Sequence, residues 1–248
     1  MTKGLEPSQI ILGTMRLEQV ERSLTQWLDF FVEVHELGIE TLHVSSEYES
    51  YPLVCRVLGD LAAKFPQITF RLIVKLAAPH FDEPDFSAAR LYERLDRYRS
   101  DFGIDHIDDV QWMWRHALKD DKSRVEAFAR SLDRLADATA SLKAKQLIGR
   151  LLCFPYSLEF AQVAARMAPI DGLVIYRNVD EVEDDPAVDT CAELGKACIV
   201  IRPFAAGKAI KTGLAPGTLL RFALDKPAIE AAILSSSSIE HLSSLIRN

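Results

Sequence analysis

The chain has 248 residues, 48% of them hydrophobic and 26% charged, with a net charge of −7, a balance ordinary for a globular protein with one large core. The acidic excess argues against nucleic acid as a main partner, since proteins that bind that polyanion carry a basic face. No apolar run approaches the roughly 20 residues that span a bilayer, MTKGLEPSQI lacks the apolar core of an export signal, and Cys55, Cys153, Cys191 and Cys198 have no metal-binding spacing; a cytoplasmic protein with reduced thiols and no membrane partner is expected.

In chain order, short aliphatic runs alternate with longer amphipathic ones. Ile10 to Gly13 reads as a strand. Glu21 to Leu37 carries Leu24, Trp27, Leu28, Phe31, Val34 and Leu37 on one helical face, and Gly38 stops it. Thr41 to Val44 is a strand leading into a polar loop that presents Tyr48; a helix from Leu53 to Lys64 follows, then a strand from Phe70 to Lys75. The pattern continues with helix Phe86 to Phe102, strand Val110 to Trp114, helix Lys122 to Lys145 and strand Leu147 to Leu152. Helix Ser157 to Met167, strand Gly172 to Tyr176, helix Pro186 to Leu194 and strand Ala197 to Ile201 come next. Helix Gly217 to Leu224, strand Ala231 to Leu234 and helix Ile239 to Ile246 close the chain.

Eight strands in strict alternation with eight helices predict a (β/α)8 TIM barrel, one domain over residues 1–248. An open doubly wound sheet would need a glycine-rich phosphate turn to hold a dinucleotide, and no GxGxxG is present. Barrel chemistry sits at the C-terminal strand ends. There, the loop after the second strand and the end of the third bring Tyr48 and Lys75 together. A nearby ammonium favours phenolate, so the expectation is a lowered tyrosine pKa and an easier proton transfer to a developing alkoxide.

The order of several motifs resembles the aldo-keto reductases. ILGTM at 11–15 resembles the first barrel strand, and GIETLHVSSEYE the segment that carries the family's catalytic aspartate and tyrosine. IVK at 73–75 matches the catalytic-lysine strand, HIDDVQWMW at 106–114 the strand that ends in the catalytic histidine, and LIGR at 147–150 the fifth strand. RPFAAG at 202–207 and LRFALDKPAIEAAILSSSSIEHL at 220–242 are similar to the seventh strand and the closing phosphate-binding turn.

The resemblance implies NADPH- or NADH-dependent reduction of a small carbonyl compound. Of the four catalytic positions, Tyr48 and Lys75 are retained, while His43 stands at the aspartate and Met113 at the histidine. His43 could donate to a substrate oxygen or be a strand-end histidine satisfied by neighbours, and His116, three residues beyond Met113, could swing back toward the site or be a solvated loop histidine. The positions that hold the nicotinamide amide and ring become Leu151, Leu152, Val174 and either Ile201 or Arg202, where apolar groups weaken cofactor binding. Ser235, Ser236, Ser237 and Ser238 could receive a phosphate at a helix N-terminus or serve as an ordinary cap. Ser235 and His241 replace the cations expected on an adenosine 2′-phosphate. The long segment over the cofactor and the C-terminal pocket loop are expected to be absent, which leaves water poorly excluded.

Arg115, Arg150, Arg177 and Arg202 fall near four strand ends; they could ring the mouth and attract an anion, or pair with acids such as Asp180 to Asp185. Three readings follow from the sequence: a reductase with a degraded tetrad, an inactive barrel that binds a small anion or a protein, and Schiff-base chemistry on a Lys75 deprived of its carboxylate. Oligomeric state is open.

Overall fold

The computed structural model describes residues 5–115 and 120–247. Strands β1 (Ile10–Gly13), β2 (Thr41–Val44), β3 (Arg71–Ala77), β4 (Ile107–Met113), β5 (Ile148–Phe154), β6 (Gly172–Tyr176), β7 (Ala197–Ile201) and β8 (Ile229–Leu234) pair in parallel, each with its sequence neighbour, and β8 closes onto β1. The helices between them are α1 (Leu24–Glu36), α2 (Tyr51–Lys64), α3 (Ala88–Phe102), α4 (Asp121–Ala144), α5 (Leu158–Arg166), α6 (Asp185–Glu193) and α7 (Pro216–Ala223), with α8 (Ile239–Arg247) last. This is the (β/α)8 barrel that the alternation predicts.

Local chemistry sets the helix ends. Ser23 and Gln26 form a reciprocal capping box that opens α1, Ser87 and Ser157 accept backbone N–H bonds at the starts of α3 and α5, and Gly103 closes α3 at φ 64°. Along β4 the side chains alternate. Trp112 points outward to Phe128 of α4, with ring centroids 5.5 Å apart, while Asp109, Gln111 and Met113 are buried on the opposite side. Met113 therefore faces the barrel interior, as the expected register requires.

The barrel's lower end is filled by an ion-pair cluster. Arg150 of β5 binds Asp109 through Nε and Nη2 at 2.7 and 2.8 Å and reaches Glu230 of β8 at 2.9 Å. Above it an apolar layer including Ile73, Leu152, Val174 and Ile199 seals the floor. Gly172 is dictated by the closeness of β7: a Cβ there would lie 2.1 Å from the Ala197 carbonyl oxygen.

Some strand ends differ from expectation in ways that move the site. β3 continues to Ala77, so Lys75 lies inside the strand rather than at its end. β5 runs on to Phe154, which lowers Leu151 and Leu152 below the mouth and takes Arg150 to the opposite end of the barrel. The connection from β7 to α7 is a compact wall built from two short 3-10 turns, Ala205–Gly207 and Ala209–Thr212. Ala205, Ala209 and Leu219 pack there against Phe204 and Val179.

Candidate active site at the barrel mouth

A cavity of ≈ 660 Å³ opens at the C-terminal strand ends, where His43, Tyr48, Lys75, Gln111 and Met113 converge. The loop after β2 is fastened to β3 at one backbone atom. The Lys75 carbonyl accepts from Tyr98 Oη at 2.8 Å and from Ser45 Oγ at 3.3 Å, and Tyr98 Oη also accepts from the Ser46 N–H at 2.7 Å. This clamp fixes the loop that carries Glu47 and Tyr48.

Lys75 Nζ lies 3.2 Å from Glu47 Oε2 and 4.9 Å from the centre of the Tyr48 ring. The two expected residues do meet, but the ammonium faces the aromatic ring, a cation–π contact. Burial dominates the phenol and pushes its pKa above the ordinary value of 10, the reverse of the lowering expected from the sequence. Burial also pulls Lys75 down, and Glu47 offsets part of that. For Glu47 itself, burial raises the carboxyl, but Lys75 and Arg115 outweigh it and hold the group below the usual range.

Arg115 completes this cluster. Its Nη1 donates to Glu47 Oε1 and its Nε to Tyr156 Oη at 3.1 Å.

His43 is 4% exposed, and its Nε2 sits 2.8 Å from the Gln111 side-chain oxygen. That oxygen can only accept, so Nε2 carries the proton. Burial, reinforced by the Lys75 charge, lowers its pKa to about 4, and the ring is neutral at ordinary pH. The only N–H of the neutral ring is thus engaged by Gln111. A donating role for His43 toward substrate is not what this geometry offers; it is a buried histidine satisfied by a neighbour. His116 lies outside the described residues.

The expected cofactor positions divide. Arg202 and Ser235 line the cavity, as does Ile201. Leu151 packs outward beneath the helices, and Leu152 and Val174 are fully buried in the barrel floor, so none of these three reaches the mouth. The lengthened β5, the residues just after it and the end of β6 instead present Phe154, Tyr156 and Tyr176, with the centre of the Phe154 ring 5.3 and 5.4 Å from those of its two tyrosine neighbours.

Ser235, Ser236 and Ser237, with Gly13 and Arg16, line a second cavity of ≈ 220 Å³. Arg16 and Ser235 are common to both cavities, so a polar strip leads from the mouth to the start of α8. Ser238 is the cap of that helix: its Oγ accepts from the His241 N–H at 3.2 Å and donates to Glu240 at 2.7 Å.

The four arginines also divide. Arg150 fills the barrel's lower end, and Arg177 is buried between Asp185 and Asp225, at 2.7 and 2.8 Å. Arg115 and Arg202 remain at the mouth. Three participants were not picked out from the sequence: Glu47, Gln111 and Arg16. Gln111 could have been found from strand periodicity, two residues before Met113 on the same inner face. Glu47 offered only its place beside Tyr48.

Among the described residues no cluster of three or more His, Cys, Asp or Glu side chains could hold a metal, and no helix is long and apolar enough to cross a membrane. All four cysteines are free thiols. The fold is thus a closed parallel barrel that groups a tyrosine, a lysine and a carboxylate around its mouth. The model of the aldo/keto reductase family matches residues 9–218, and the chain belongs to that family.

Solved structures agree on the fold. A putative aldo-keto reductase from Pseudomonas aeruginosa superposes with a TM-score of 0.73 at 19% identity, over 96% of this chain and 87% of that one. An aldo-keto reductase from Bacillus halodurans in its holo form gives 0.72 at 16% identity, over 96% and 85%. One from Klebsiella pneumoniae, solved in complex with NADPH, gives 0.71 at 16% identity, over 97% and 86%. No curated protein matches the chain in sequence.

Family membership implies a nicotinamide coenzyme. Arg16 and Ser235 to Ser237 could hold the diphosphate of such a group, and Gly13 lets Ser235 come close, since a Cβ there would lie 2.8 Å from the Ser235 hydroxyl oxygen. Gln111 is the one side-chain amide lining the mouth among the described residues, and its oxygen is occupied by His43. The ring end is otherwise aromatic.

Proposed function

We propose that the protein is an NAD(P)H-dependent oxidoreductase that reduces a small carbonyl compound at the barrel mouth, with Tyr48 as proton donor. The convergence of Tyr48 and Lys75 on one cavity, with Glu47 bound to the lysine beside it, carries this reading. The coenzyme supplies the hydride when bound. Tyr48 delivers its proton to the developing alkoxide, and its raised pKa keeps the phenol loaded at neutral pH. Lys75 stabilises the phenolate left behind, and Glu47 keeps Lys75 charged. Arg16 and Ser235 to Ser237 hold the coenzyme's diphosphate.

With His43 engaged and Met113 lacking an N–H, no imidazole among the described residues that line the cavity is free to polarise the carbonyl, and slow turnover is expected. The test is titration with NADPH and NADH by calorimetry, followed by coenzyme oxidation with a panel of aldehydes. Micromolar binding with turnover supports the reading; no binding at millimolar coenzyme overturns it.

A second reading is favoured by one contact. The Arg202 guanidinium lies 4.5 Å from the centre of the Tyr176 ring and covers an aromatic face at the mouth. A barrel that binds a small anion without hydride transfer would use that arrangement unchanged. Schiff-base chemistry on Lys75 loses its motive, because Glu47 supplies the carboxylate whose loss suggested it.

A further inference from the structure

We propose that the substrate carries a carboxylate on an apolar body, and that Arg202 binds that carboxylate. The inference rests on the reductase reading for the carbonyl end and on independent features for the anionic end. Arg16, Lys75, Arg115 and Arg202 line the mouth cavity, and no Asp or Glu is among its lining residues. Glu47 stands beside it and is shared between Lys75 and Arg115. The local balance is positive in a chain whose net charge is −7. Such a cavity favours an anionic ligand.

Arg202 is the cation best placed to supply the contact. Arg115 already donates to Glu47 and Tyr156, and Arg16 lies on the strip that leads to the serines. Arg202 has no carboxylate partner among the described residues, whereas Arg150 and Arg177 each bind two. Its position is nonetheless fixed. The guanidinium rests on Tyr176, the backbone is left-handed at φ 56°, and its carbonyl accepts from Asn178 Nδ2 at 3.0 Å and from the Ala205 N–H at 2.9 Å. A guanidinium so held presents its remaining N–H groups for a two-pronged bond to a carboxylate.

The apolar half of the ligand is read from the rim. Met15, Phe81 and Ile210 line the same cavity and are 43%, 58% and 46% exposed, three large hydrophobic side chains left uncovered around a polar centre. Singly these would mean little; grouped on one cavity they suit an apolar body between the carbonyl and the acid.

The probes are 4-formylbenzoate and benzaldehyde, titrated by calorimetry without coenzyme and then assayed with NADPH. The native protein should bind the carboxylate at least about tenfold more tightly, the size of one charge-assisted contact. Arg202→Gln should bring the two affinities within about twofold, and Arg202→Lys should retain part of the preference, the point charge without the fork. Absence of a preference in the native protein, or its survival in Arg202→Gln, overturns the proposal. So does an equal loss of NADPH and 4-formylbenzoate affinity in Arg202→Gln, which would assign the cation to the coenzyme. If the preference is present but NADPH neither binds nor is oxidised, the carboxylate site stands and the reductase reading falls.

Discussion

Glu47 Oε2 lies 3.2 Å from Lys75 Nζ, so the lysine at the barrel mouth has a carboxylate partner although the sequence resemblance sets His43, not an acid, at the β2 position expected to supply one. The acid comes from the loop after the strand, adjacent in sequence to the phenol that the lysine faces. One short segment thus carries both the proposed proton donor and the carboxylate that pairs with Lys75.

Replacing Glu47 by Gln leaves Lys75 buried beside Arg115 with nothing to offset either effect. Its pKa, already lowered by burial, should fall further once the raising effect of the Glu47 carboxylate is gone. NMR titration of lysine labelled at Cε would follow this directly. Unchanged titration in the variant would mean that the ion pair does not form in solution.

Tyr48→Phe removes the proposed proton donor while keeping the ring under the ammonium. Carbonyl reduction should drop by at least about 100-fold, with coenzyme affinity unchanged. Because burial raises the phenol above 10, the native rate should show no alkaline loss from Tyr48 below about pH 10. A full rate in the variant would move proton donation to solvent.

The barrel was legible because each strand is a short aliphatic run bounded by glycine or polar residues. Thr41 to Val44, Gly172 to Tyr176 and Ala197 to Ile201 coincide with β2, β6 and β7. Site positions were less legible because they depend on where a strand stops. Cys153 and Phe154 continue β5 by two residues, and that shift exchanges Leu151 and Leu152 for Phe154 and Tyr156 at the mouth. The Lys75–Glu47 pair depends on loop geometry, which no periodicity encodes. The neutral state of His43 depends on burial, reinforced by the Lys75 charge and opposed by the Gln111 bond, a combination that only the closed fold creates.

His43 also predicts an acid-sensitive fold. The unfolded chain takes up its proton near pH 6.5, whereas the folded chain resists until about 4. Between those values the unfolded state binds more protons, so the stability is fully present above about 6.5 and falls as the pH drops toward 4. The loss amounts to about 3 kcal/mol. Urea unfolding at pH 7, 5.5 and 4 should show this slope, and His43→Asn should remove it. Equal slopes in the two proteins would mean that the ring is already protonated when folded.

Two glycine substitutions separate steric need from chance. In Gly172→Ala, the new methyl would sit 2.1 Å from the Ala197 carbonyl oxygen, a backbone atom held in the β6–β7 ladder, so the strands must part. The cost should be about 3 kcal/mol or more in urea unfolding. Gly59→Ala, within α2, meets nothing within 4 Å and trades a poor helix former for the best one. It should gain about 0.5 to 1 kcal/mol. A mild effect at Gly172 would show that β6 and β7 can separate without loss, and that the floor beneath the cavity is more compliant than the close approach of the two strands requires.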